Sequence, residues 1–205
     1  MIKKLMKYLP LLISFCLIAT LGNSQIIKEK NAAERTVEGK FTSIEVSGGI
    51  DVYISQSSSQ AVAVSAATPE LRDNIVTEVK NGKLVIYFKT QDKLLQKFKD
   101  KDLKVFLSAP ELSGIRAGGA SDVIITGKLK GNELTIKMSG ASDMKGAVEY
   151  DKINLEMSGA SDVNLKGSVN KLEIVASGAS DFNGRELKSL KCIAEASGAS
   201  EIIIA

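Results

Sequence analysis

The 205-residue sequence has no histidine and no tryptophan, only two cysteines and three prolines, and few other aromatics, with six phenylalanines and four tyrosines. Without histidine the commonest general base and metal ligand is missing. Cys16 lies in an apolar N-terminal leader, so Cys192 stands alone and neither a disulfide framework nor a zinc knuckle can form. The shortage of aromatics argues against a large wedge-packed interior. An excess of charge is also missing. Lys3, Lys4 and Lys7 account for the whole net charge of +3, because the first 24 residues carry no acid. The rest of the chain is neutral, with no electrostatic footprint for nucleic acid or anionic lipid.

What is present first is an export signal. A short basic segment, an apolar run from Tyr8 to Leu21 and the small residues Gly22 and Ser24 predict a signal peptide over 1–24, cut before Gln25. An uncleaved anchor is the alternative, but the run is broken by Pro10 and short of the ~20 residues a span needs. Lipoprotein processing at Cys16 is a third; Phe15 before it is bulky and the residues behind it are still apolar. The expectation is an exported protein, in the periplasm, on the outer membrane surface or outside the cell. Residues 25–36 read as a flexible segment, and 37–205 as a single domain with no internal linker.

The main signal is a repeat. Gly119-Ala120-Ser121-Asp122 recurs as Gly140 to Asp143, Gly159 to Asp162, Gly178 to Asp181 and Gly198 to Glu201, at steps of 21, 19, 19 and 20 residues. An earlier relative, Ser47-Gly48-Gly49-Ile50-Asp51, stands apart. Before each motif apolar residues alternate, as in Leu134, Ile136 and Met138, and after it comes a second short alternation such as Val163 and Leu165. Turns are read at 130–132 and 167–170. Period two means strand with one buried face. No such strand buries its face alone, and helix-period segments to cover it are missing. Stacking equivalent strands of successive units solves both problems. The columns would be Leu134/Ile153/Leu172/Cys192, Ile136/Leu155/Ile174/Ala194 and Met138/Met157/Ala176/Ala196, with Lys137 beside Glu156 outside. A unit of this length fits one coil of a parallel β-helix, whereas a propeller blade needs roughly 40–45 residues.

The expected fold is therefore all-β, a parallel β-helix-like solenoid with coils of about 20 residues in the C-terminal half and less regular strands in the N-terminal half. There, 61–66 reads as a strand, Thr68-Pro69 as a turn, and 74–79 with 84–89 as a hairpin around Asn81-Gly82. Residues 91–102 read as a short helix or loop, and 103–107 as a strand. The motif glycines Gly119, Gly140, Gly159, Gly178 and Gly198 mark structural corners. The alanines after them read as tight inward positions, and Ser and Asp as side chains that bond backbone N–H groups and hold the bend.

Ser47 to Val52, the segment Ser108-Ala109-Pro110-Glu111-Leu112 leading into Gly118 to Asp122, and the serial Ser-Gly-Ala-Ser-Asp copies together resemble the family of putative auto-transporter adhesin head domains called the GIN domain. The resemblance covers about 37–205. It implies an exported protein of Bacteroidetes-type bacteria with a right-handed parallel β-helix-like fold, and it supplies no catalytic residues. Members of the family continue through further coils, whereas this sequence stops in mid-unit at 201–205. Either it is a fragment, or its last coil leaves an apolar edge open to self-association.

As chemistry, Asp122, Asp143, Asp162, Asp181 and Glu201 form a ladder that could share Ca²⁺, although its glycine density is below that of calcium solenoids; a structural role at the corner is preferred. Lys128, Lys145, Lys166 and Arg185 near the aspartates would suit a β-helix polysaccharide lyase or hydrolase, but a solvated charged face is the simpler reading. Arg35, Arg72, Arg116 and Arg185 do not cluster. Lysines 80, 83, 89, 93, 97, 99, 101 and 104 are interrupted by aspartates. Cys192 reads as a buried thiol with nothing to activate it. No cofactor is expected. The reading is a non-catalytic cell-envelope protein, an adhesin-like module contacting a glycan or a cell-surface protein; the alternatives are the polysaccharide enzyme and a structural periplasmic protein.

Overall fold

The structure is a computed structural model that describes residue 29 and residues 31–89 and 100–205. The expected signal peptide at 1–24, Cys16 and residues 91–99 of the helix or loop expected at 91–102 lie outside the described residues. The described strands are β1 (Ala33–Glu34), β2 (Ser43–Ser47), β3 (Asp51–Gln56), β4 (Ala61–Ser65), β5 (Ile75–Lys80), β6 (Lys83–Phe88), β7 (Lys104–Ala109), β8 (Gly114–Ala117), β9 (Val123–Met138), β10 (Asp143–Met157), β11 (Asp162–Ala176), β12 (Asp181–Ala196) and β13 (Glu201–Ile204). They form one sheet wound as a solenoid.

From β9 onward each coil pairs in parallel with the next. Ile153 lies between Leu134 and Leu172, Leu155 between Ile136 and Ile174, and Met157 between Met138 and Ala176. Cys192, Ala194 and Ala196 close the three columns. The alternation works because side chains on a strand point to opposite faces; Leu134, Ile153 and Leu172 are fully buried, and Ile136, Leu155 and Ile174 at most 1% exposed. The turns expected at 130–132 and 167–170 are instead bends inside continuous strands. Pairing runs through them, from Asp162 to Ala176 against β10, and Leu129, Val148, Val169 and Leu187 fill the coil there.

The N-terminal half winds out of sequence order. β2 and β3 make one coil around the Gly48-Gly49 corner. Below it lie β6 and β7, paired with β2 and β3; above it lie β8 and the start of β9. The earlier relative of the motif therefore does not stand apart: residues 47–51 occupy the coil next to Gly119, whose added Cβ would lie 3.2 Å from the Gly48 nitrogen.

At this end β4 folds antiparallel onto β7, β1 onto β4, and β5 onto β6. The expected hairpin is β5–β6, with Asn81 and Gly82 both at positive φ, as a two-residue primed turn requires. The expected Thr68-Pro69 turn is the entry to a short helix, α1 (Pro69–Asp73). Thr68 caps it, accepting from the Leu71 N–H, and Pro69 needs no donor in the first turn.

Candidate functional site

The Gly-Ala-Ser-Asp corner is built from backbone contact between coils. The N–H groups of Ala141, Ala160, Ala179 and Ala199 donate to the carbonyls of Gly119, Gly140, Gly159 and Gly178 at 2.7–2.9 Å. The alanines thus stand in one file, but they face solvent; the buried file is the serines, with Ser121, Ser142, Ser161 and Ser180 fully enclosed. This reverses the expected inward alanine. A buried hydroxyl must be satisfied, and the corner does so locally: Ser142, Ser161 and Ser180 donate to the carbonyls of Ser139, Ser158 and Ser177 at 2.9–3.0 Å. Oγ also accepts from the neighbouring coil, from Ile50 N–H at Ser121 and from Ser180 N–H at Ser200.

Just past the corner the side chains turn outward and form a file of acids. Asp143 pairs with Asp162, Asp162 with Asp181 and Asp181 with Glu201. Val123 lies beside both Val52 and Met144, which brings Asp51 and Asp122 into the same file. Lys104 is opposite Asp51 at its foot and pairs with Asp102 at 3.0 Å and Glu29 at 3.4 Å. The bond to Asp102 holds the Lys104 ammonium above its usual pKa range. Next to the acids runs a second outward file of Phe106, Tyr53, Ile124, Lys145, Asn164, Asn183 and Ile203. Tyr53 and Phe106 stack with ring centroids 5.0 Å apart. Between the files is a shallow groove of about 190 Å³ lined by Asp122, Ile124, Asp143, Lys145, Asp162 and Asn164 among others.

The file is electrostatically unfavourable to itself. Burial, then the neighbouring Asp143 and Asp181, push Asp162 above the usual carboxylate range; burial, then Asp122, do the same to Asp51. In both, the folded-state pKa exceeds the unfolded one. Their stabilising contribution is thus full below the unfolded value and lost as pH rises through the folded one. Asp162→Asn is therefore expected to raise stability at neutral pH, by less than about 1 kcal/mol because the group is exposed, and to make no difference near pH 3, well below the ordinary aspartate value. Thermal melts of both proteins across that range check this.

The calcium candidates Asp122, Asp143, Asp162 and Asp181 are spread one to a coil. Among the described residues no three acidic or thiol groups converge to hold a metal ion. Of the cations expected near them, Lys145 alone lines the groove. Lys128 pairs with Glu149 at 3.0 Å, and Lys166 and Arg185 are exposed. Where it is described, the basic stretch is paired in part: Lys80 with Glu78, Lys83 with Glu45 and Lys104 with Asp102, while Lys101 sits over the Phe88 ring. Two arginines expected to lie apart do meet, because β1 pairs with the strand leading into α1. Arg72 and Arg35 approach Asp73 at 2.9 and 3.6 Å. Cys192 occupies its inward column but is only partly covered, since nothing described stacks above it; burial still pushes its thiol pKa up.

The sequence reading missed Asp51, Tyr53, Lys104 and Phe106 as members of this face. The Ser-Gly-Gly-Ile-Asp relative was the signal: it is a sixth corner and carries its own aspartate into the file.

Solved structures share this architecture. A crystal structure described as a putative adhesin from Bacteroides fragilis aligns with a TM-score of 0.75 at 22% identity, covering 84% of this chain and 78% of that one. One described as a putative lipid binding protein from Parabacteroides distasonis has a TM-score of 0.62 at 21% identity, covering 84% and 80%. A putative adhesin from Parabacteroides merdae has 0.62 at 18%, with the same coverage. At these identities the likeness is one of fold. No curated protein matches. Residues 40–205 match the family described as putative auto-transporter adhesin, head GIN domain, and the chain belongs to that family.

Proposed function

We propose that this protein is a non-catalytic, exported cell-envelope module with an adhesin-like role, and that it engages an extended partner through the face carrying the two outward files. The observation that carries the reading is repetition. One carboxylate per coil, at the strand spacing of about 4.8 Å, with Lys145, Asn164 and Asn183 alongside, offers the same weak contacts again and again. Such a surface suits a polymer, a glycan or a protein segment, that gathers affinity from many bonds. The groove is smaller than the roughly 300–1,000 Å³ of sites that enclose small molecules, so it fits an occupant lying across the coils. Family membership supports the adhesin-like reading, and the basic-apolar leader supports export.

The expected result is binding to at least one ligand on glycan and cell-surface-protein arrays, weakened by Asp143→Ala combined with Asn164→Ala, while Lys137→Ala on the neighbouring face leaves it unchanged. Protease treatment of intact cells should shave the domain. Silence on every array, or full protection from the protease, would remove the adhesin-like reading in favour of a structural periplasmic role. The groove also places Lys145 beside Asp143 and Asp162, the arrangement a polysaccharide lyase would use. Turnover of acidic polysaccharides that Asp143→Ala abolishes without unfolding would overturn the non-catalytic reading.

A further inference from the structure

The groove runs along the stack, because its lining repeats the same two positions in successive coils: Asp122 and Ile124, Asp143 and Lys145, Asp162 and Asn164. Its two flanks differ. One is the file of carboxylates. The other changes along its length, with the half-buried Phe106, Tyr53 and Ile124 in the lower coils and Lys145, Asn164 and Asn183 in the upper ones. Carboxylates alone would attract any cation. The stacked pair of Tyr53 and Phe106, with centroids 5.0 Å apart, narrows the choice by giving the same line an aromatic end. Resting on the reading of this face as a docking surface, we infer that its occupant is a cationic peptide segment in the polyproline II conformation. It lies along the stack with a lysine or arginine at every third residue and its prolines toward the aromatic end.

Charge sets the sign of the partner. Asp122, Asp143 and Asp162 line the groove against one cation, Lys145. Lys166 and Arg185 are exposed beyond the amides, so a cationic chain is held to the acid flank, while an acidic one is repelled from it. Spacing then selects the backbone. In polyproline II, with three residues per turn and about 3.1 Å per residue, like side chains recur about every 9.3 Å. Two coils of the solenoid span about 9.6 Å, so cations at every third residue meet alternate carboxylates, Asp122 with Asp162 or Asp143 with Asp181. On an extended strand, like side chains recur about every 6.7 Å, which fits neither one coil nor two. The polyproline II backbone makes no internal hydrogen bonds, and the amides of Asn164 and Asn183 both donate and accept beside it. Proline rings in this conformation dock on aromatic-lined grooves, and Phe106, Tyr53 and Ile124 supply that lining.

The test uses the full chain, purified, and fluorescent peptides carrying equal numbers of charges. A peptide of Pro-Pro-Lys repeats should bind, and added salt should weaken it. A strand-forming peptide with lysine at every second residue should bind at least about tenfold more weakly, and Pro-Pro-Glu repeats should not bind. Asp122→Asn combined with Asp162→Asn, or Tyr53→Ala alone, should weaken the Pro-Pro-Lys complex about tenfold, while Glu156→Gln on the neighbouring face leaves it unchanged. The comparison of peptides uses the unaltered protein, so it stands whether or not a variant folds. No binding of Pro-Pro-Lys repeats, equal binding of the two lysine peptides, or a preference for the acidic polysaccharide polygalacturonate would each overturn the inference. An acidic or neutral ligand on the arrays would sink the cationic peptide and leave the adhesin-like reading standing. Peptide binding by a domain that intact cells shield from protease would do the reverse.

Discussion

Gly159→Ala is expected to cost more than about 3 kcal/mol, enough to remove much of the margin by which an ordinary domain is folded. Gly159 has φ +81°, and a Cβ built on it would lie 2.5 Å from the Gly140 carbonyl oxygen. That oxygen is not free to retreat, because it accepts the Ala160 N–H at 2.8 Å. Alanine therefore meets two penalties: roughly 1–2 kcal/mol for the left-handed backbone and the clash with a fixed carbonyl. The comparison is Gly82→Ala, where φ is +74° but no atom lies within 4 Å of the new methyl. Only the backbone penalty applies there. Chemical denaturation of the two variants should separate them by at least about 1.5 kcal/mol; equal losses would mean the corner yields where the structure shows close contact.

Leu155→Ala is expected to cost about 3 kcal/mol. Its side chain is 1% exposed and stacks between Ile136 and Ile174. Coils in a solenoid contact only their neighbours, so no other element can move in to fill the gap. The damage falls in the middle of the stack, and hydrogen exchange should speed most in β9, β10 and β11. Val175→Ala, on the outer face and 47% exposed, should change stability by less than about 0.5 kcal/mol. If Leu155→Ala were as mild as that, the columns would not be the core they form in this structure.

Both variants rest on features legible in the sequence, though not equally. Leu155 belongs to a period-two run set one repeat from its equivalents at Ile136 and Ile174, so its column followed from spacing. Gly159 could be read as a corner, but not the direction its neighbours face. Alanine and serine are both small, and nothing in the order Gly-Ala-Ser-Asp says which turns inward. The fold decides by satisfaction of hydrogen bonds: the serine hydroxyl reaches the carbonyl three residues back and can be buried, while the alanine is left outside.

By itself the sequence determined the strand period, the coil length from Gly119 onward and the partners in the three columns that precede each corner, because in those coils sequence neighbours are also spatial neighbours. Only the tertiary structure decided the order of the first coils. β2 takes β6 and β8 as partners, with Ile44 between Leu84 and Ile115, 40 and 71 residues away in sequence. Alternating apolar residues would satisfy many such pairings equally well. The carboxylate file shows the consequence: four of its aspartates follow from the repeat, but Asp51 joins them only because a coil from the start of the domain is laid between two that come later.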